Sequence, residues 1–175
     1  MQLKTFIKRE KRYFVFWLIS IISFFLGVIF GIVFAGNINK INPNEVQAVN
    51  VFKNNILVGS SMMFLGSLTG GVYGIIVLYI NGYIVGKLAV YLITANMGKY
   101  IFLGIFPHFG LELLGLSIFA IIGFIPASEF ICWIRKGSFR LSVKEILKKY
   151  IAMMSIGSIC LFFAALIESY VSVVI

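Results

Sequence analysis

Long apolar runs, divided by a few short polar clusters, set the organisation of this chain. Phe14 to Ala35 carries no charged residue, and its length suits a membrane-crossing helix of about 20 residues. Gly27, Gly31 and Ala35 recur every four residues along it, a small-residue ridge that admits a neighbouring helix at close range. Ordinary packing explains the ridge more simply than a dedicated homodimer face. From Ile56 to Ile93 the only charge is Lys87. As helix this stretch is about 57 Å long, nearly twice the ~30 Å of a hydrocarbon core. It therefore folds back, and Gly70-Gly71 is the place for the turn. The expected spans are 14–35, 55–70, 72–94, 107–134 and 151–173. The second is short for a crossing, and a re-entrant segment stays open for it. Gly66, Gly70 and Gly74 again favour tight packing. The pattern predicts one membrane domain over 1–175, all-α, a bundle of about five transmembrane helices.

The polar clusters carry their own signals. Residues 1–13 hold Lys4, Lys8, Arg9, Lys11 and Arg12 against Glu10 alone. Leu3, Phe6, Ile7 and Phe14 share a helical face, which predicts a basic arm lying on the membrane surface before the first span turns inward. A signal peptide with a cleavage site after Val33-Phe34-Ala35 is the competing reading, but the apolar run is too long for a signal core. Residues 36–53 are rich in asparagine; Pro43 breaks a helix there, and Asn44 with Gln47 can cap the next. Thr94 to Gly104 reads as a short linker with Lys99. Residues 135–150 contain Arg135, Lys136, Arg140, Lys144, Lys148 and Lys149. Within them Ser142 and Glu145 have capping-box spacing, while Val143, Ile146, Leu147 and Tyr150 share one face. That predicts a basic amphipathic surface helix between spans four and five, with Arg140, Lys144, Lys148 and Lys149 docking lipid or a partner.

Composition sharpens the class. At 61% hydrophobic and 12% charged residues, no soluble core could bury the apolar surface. Fifteen Lys and Arg face six acids, none of them aspartate, for a net charge of +9. No basic groove with interleaved stacking aromatics accompanies that charge, so nucleic acid is excluded in favour of anionic inner-leaflet lipid. Residues 1–13 and 135–150 bring five and six basic residues to one side. Lys40, Lys53 and Lys99 fall on the other, which makes the N-terminus cytoplasmic in a five-span, multi-pass protein. High Phe, Ile, Lys and Asn usage resembles that of an AT-rich bacterium, so the expected location is a bacterial cell membrane. Cys132 and Cys160 lie in apolar spans without ligand spacing and read as packing thiols. No cofactor or metal is expected.

Residues 105–134 hold the most chemistry. Pro107 suits a first helical turn. His108, the only histidine, and Glu112 fall one turn apart on a shared face. Ionisable groups at membrane depth normally face protein or a water-filled cavity, so this span should form the core of the bundle. Tyr79, Tyr83, Lys87 and Tyr91 form a polar stripe on span three, and Asn81 needs a partner on another face. With alternating spans, Lys87, His108, Glu112 and Glu168 reach one depth. Lys87 is expected to be neutralised by Glu112 or Glu168, with His108 in the same network. The cluster reads as a pair that sets helix register, or as a polar cavity for an ion, proton or peptide group. Glu129, near Arg135 and Lys136, is expected at the interface without a special role.

The residues Asn54-Asn55 with the glycines after them, Asn81-Gly82 with Gly86, and Pro107-His108 with Glu112 resemble those of the stage II sporulation protein M family. So does the closing stretch from Phe162 to Ser172. The resemblance covers nearly the whole chain, although Phe109 stands where the family commonly has glycine and the glycine here is Gly110. It implies a multispan membrane protein of a family not known for enzymes. Sporulation members resemble scaffolds that hold peptidoglycan-degrading partners at a septal membrane. Shorter members resemble products of circular-bacteriocin clusters that accompany a transport ATPase in secretion and self-immunity. Three readings follow: a non-catalytic subunit of an export or immunity complex, a cell-wall remodelling scaffold, and an intramembrane enzyme. No His-Glu-x-x-His site or Gly-x-Ser-x-Gly elbow supports the third. Expected partners are anionic lipids and either ATPase or membrane subunits or cell-wall proteins, with a homo-oligomer left open.

Overall fold

Inside lipid a backbone must satisfy its own polar groups, and an apolar run does so by becoming helix. The computed structural model describes residues 2–36, 47–139 and 141–171. Among them are five α-helices: α1 (Gln2–Val33), α2 (Ala48–Leu68), α3 (Val72–Thr94), α4 (Phe106–Lys136) and α5 (Val143–Val171). A π-helical turn at Ile101–Ile105 leads into α4, and there is no strand among the described residues. Stretches long and apolar enough to cross a membrane lie in α1, α3, the run from Ile101 through α4, and α5. The protein is thus a multi-pass membrane protein by its helices. By the same measure α2 falls short, because Asn50, Lys53, Asn54 and Asn55 occupy its first turns.

The helices alternate in direction. At the α2–α3 turn Gly70 and Gly71 adopt φ of +65° and +89°, a left-handed conformation that side chains disfavour. The expected fold-back is therefore where it was placed. A Cβ on Gly71 would also strike the ring of Phe16 and crowd the Cβ of Phe124. α1 and α3 run parallel: Gly27 and Gly31 lie on the carbonyls of Tyr79 and Tyr83, while Gly82 and Gly86 lie on those of Phe24 and Val28. The small-residue ridge of α1 is thus spent on α3 within the chain. Gly123 of α4 lies on the carbonyl of Met62 in α2 and against the Cα of Gly66, and Gly74 of α3 meets Ala120.

α4 packs against each of the other four helices. Of its apolar stretch 56% is buried, against 33% or less in the other three, so it is the core element that its histidine and acids predicted. Phe119, Ile122 and Ile125 of α4 join Met62, Leu78 and Leu161 in a fully buried centre. Ile22, Phe25 and Ile29 of α1, Ile76, Ile80 and Ile84 of α3, and Ile156, Ile159 and Phe163 of α5 face outward, the side that meets lipid.

Several boundaries differ from expectation. The basic arm 1–13 is no separate element: α1 runs unbroken from Gln2, since the arm holds no Gly or Pro and its Lys and Arg are good helix formers. The amphipathic surface helix expected within 135–150 is likewise absent as a unit. The chain breaks earlier, at Gly137 with φ +69°, and Val143 to Tyr150 form the first turns of α5. The Ser142–Glu145 capping box does form. Glu145 Oε2 accepts from the Ser142 amide at 2.8 Å, and Ser142 Oγ accepts from the Glu145 amide at 3.3 Å. It caps a spanning helix rather than a surface one. The cap expected at Asn44 lies outside the described residues; α2 begins after Gln47, which makes no side-chain cap bond. The linker before α4 is partly helical through the π-turn.

Candidate functional site

Two polar regions stand at opposite ends of the bundle. The first is built on α4. Pro107 sits in the first turn, and one residue later His108 points back towards the carbonyl of Gly104. The approach falls short of hydrogen-bond geometry, so the buried Nδ1 of His108 has no partner among the described residues. One turn further, Glu112 reaches a cavity of about 30 Å³ between α1, α3 and α4. Asn81, Leu78 and Val85 of α3, Phe24 of α1, and Phe109, Leu113 and Leu116 of α4 complete its lining. The space admits a water molecule or a small ion and little more. Asn81 donates from Nδ2 to the carbonyl of Val77 at 2.9 Å.

Glu168 of α5 lies within electrostatic reach of Glu112. Two carboxylates so placed in apolar surroundings repel unless something neutralises one of them. The expected neutraliser is elsewhere. Lys87 forms no ion pair with either acid; its ammonium stands over the ring of Tyr83, 5.6 Å from the centroid. The backbone at Lys87 abuts Gly31 of α1, which turns this part of α3 towards α1. Asn81, His108, Glu112 and Glu168 therefore share one end of the bundle, and the expected Lys87 ion pair does not form. Among the other motif residues, Gly82 and Gly86 hold α1, Asn55 is buried and Asn54 is exposed. Gly110 has nothing within 4 Å of the Cβ position, so no close backbone approach occurs there. Among the described residues no three His, Cys, Asp or Glu side chains are grouped to hold a metal.

The second region is the opposite end, where α1 around Tyr13 meets the first turns of α5 near the α4–α5 linker. Lys149 Nζ lies 4.6 Å from the centroid of the Tyr13 ring. Lys144 and Lys148 are exposed beside Val143 and Leu147, and Arg140 lies outside the described residues. Trp133 stacks on Phe139 with centroids 6.0 Å apart, and Phe130 stacks on Trp133. These aromatics stand beside Arg135 and Lys136, the arrangement of an interfacial belt.

Glu129 belongs to this end but not to its surface. It is 2% exposed, and its Oε2 accepts the amide of Leu141 at 3.1 Å. The expected interfacial carboxylate is instead an internal anchor for the linker. A hint was available in its position: an acid two turns before the helix end can reach back to a chain that reverses after Gly137. Trp17, inside an apolar run, gives no sequence signal of its polar role. Its Nε1–H donates to Ser117 Oγ at 3.0 Å, joining α1 to α4 within the apolar centre.

The family model described as Stage II sporulation protein M matches residues 17–173. An uncharacterized protein of the archaeon Methanocaldococcus jannaschii is 30% identical over 166 residues, covering 89% of this chain and 92% of that one. No solved structure matches.

Proposed function

The chain belongs to the stage II sporulation protein M family, and from that premise we propose that it is a non-catalytic membrane subunit of a secretion and self-immunity complex working with a transport ATPase. The observation that carries this reading is the basic end of the bundle. There the first turns of α5 present Val143 and Leu147, 83% and 58% exposed, between Lys144 and Lys148. Apolar and cationic groups side by side suit a protein partner better than open water does. The positive-inside rule turns this end to the cytoplasm, where an ATPase would be met. Five crossings, with α2 among them, agree with the alternating helix directions.

The alternative role is a scaffold for cell-wall remodelling proteins. What favours it is the other end, where Asn81, His108, Glu112 and Glu168 gather on the side that the same rule turns outward. Affinity purification of the tagged chain from its own membranes separates the two. Recovery of an ATPase, lost on Val143→Asp with Leu147→Asp, supports the export reading. Recovery of a secreted wall hydrolase, unaffected by those changes, overturns it in favour of the scaffold.

A further inference from the structure

At the basic end a groove of about 510 Å³ runs between α1 and α4, within the ~300–1,000 Å³ typical of ligand sites. Its floor is Phe16 stacked on Phe124, centroids 4.2 Å apart and planes within 4°. Val15 and Ile19 of α1 and Ile131 of α4 form the walls, and Lys11 and Arg12 stand at the mouth. From Arg12 to Ile19 the groove extends about 10 Å along the helix. Ser128 adds one hydroxyl to the lining; cations at one end and mostly hydrocarbon along the rest match the two parts of a phospholipid.

Charge selects between this groove and its neighbours. Lys149 is already engaged with the Tyr13 ring, and the groove at the start of α5 has an acid, Glu145, in its lining beside Lys148 and Lys149. No acid lines the α1–α4 groove, and neither Lys11 nor Arg12 makes an ion pair among the described residues. Two cations over an apolar trough with no acid in its lining favour an anion that brings its own hydrocarbon. We propose that this groove is a binding site for one anionic phospholipid, its phosphate held by Lys11 and Arg12 and an acyl chain laid over Phe16 and Phe124. The site is independent of the export reading, because it uses none of the α5 surface.

The test is native mass spectrometry of the full chain in detergent, titrated with phosphatidylglycerol or with phosphatidylcholine of identical acyl chains. The expected result is one retained phosphatidylglycerol and a preference over phosphatidylcholine. Lys11→Gln with Arg12→Gln should lower that preference on the order of tenfold, while Lys53→Gln, an exposed lysine of α2 outside the groove, leaves it unchanged. Ile19→Trp, which fills the groove and keeps both cations, should expel either lipid. Equal retention of the two lipids, or a preference that survives loss of Lys11 and Arg12, overturns the proposal. So does an Ile19→Trp chain that keeps its lipid but loses a dimer, which would give the groove to a second copy.

Discussion

Gly82 of α3 rests on the carbonyl of Phe24 in α1, so two membrane helices touch backbone to backbone. A Cβ at Gly82 would collide with that carbonyl, and a main-chain oxygen inside a helix cannot rotate away as a side chain can. Gly27, Gly31 and Gly86 make the same kind of contact along the seam. Gly82→Ala is expected to lower stability by about 1–3 kcal/mol, the cost of overpacking a tight interior. Gly110→Ala, with open space around it, should raise stability by about 0.5–1 kcal/mol through helix propensity alone. Unfolding of both variants in mixed micelles checks the contrast.

Glu112 and Glu168 face each other electrostatically while Lys87 stands apart on Tyr83. Double-mutant cycles with glutamine should therefore show coupling above about 0.5 kcal/mol between the two acids, and less than that between Lys87 and either acid. Glu168→Gln should stabilise the wild-type chain and do little once Glu112 is Gln. A large Lys87–Glu112 coupling would instead restore the ion pair.

Glu129 holds the Leu141 amide from a buried position. Glu129→Ala leaves that N–H without its acceptor and should cost about 1–3 kcal/mol. Glu129→Gln, which keeps an oxygen in place, should cost less. Hydrogen exchange at Leu141 reads the effect directly: faster in the Ala variant, close to wild type in the Gln variant.

Ser142 opens α5 through its reciprocal bonds with Glu145. Ser142→Ala should cost about 1 kcal/mol and fray Val143 to Leu147. Hydrogen exchange confined to those amides is the expected signature. If the proposed docking surface depends on an ordered α5 start, partner recovery falls with it.

Much of this fold was legible along the chain because in lipid each backbone group is satisfied within a few residues of itself. Apolar length announced the helices, two consecutive glycines marked the reversal at Gly70-Gly71, and the capping box at Ser142–Glu145 was visible as spacing. Capping strength alone did not reveal which helix Ser142 begins. The absence of any breaker between Tyr150 and Ile151 merges the basic segment into α5. Likewise nothing interrupts α1 at Phe14, where a surface arm was expected to turn.

By itself the sequence determined a membrane-embedded helical chain, its charge bias and the order of polar and apolar stretches along it. Only the tertiary structure decided the rotation of each helix about its own axis. That rotation comes from side chains interlocking across helices: glycines on carbonyls between α1 and α3, Phe16 on Phe124, Trp17 on Ser117. It turned Lys87 to Tyr83, set Asn81 and Glu112 in one small cavity, and drew Glu129 inward to the linker. Polar residues on different helices meet only when neighbouring surfaces orient them together.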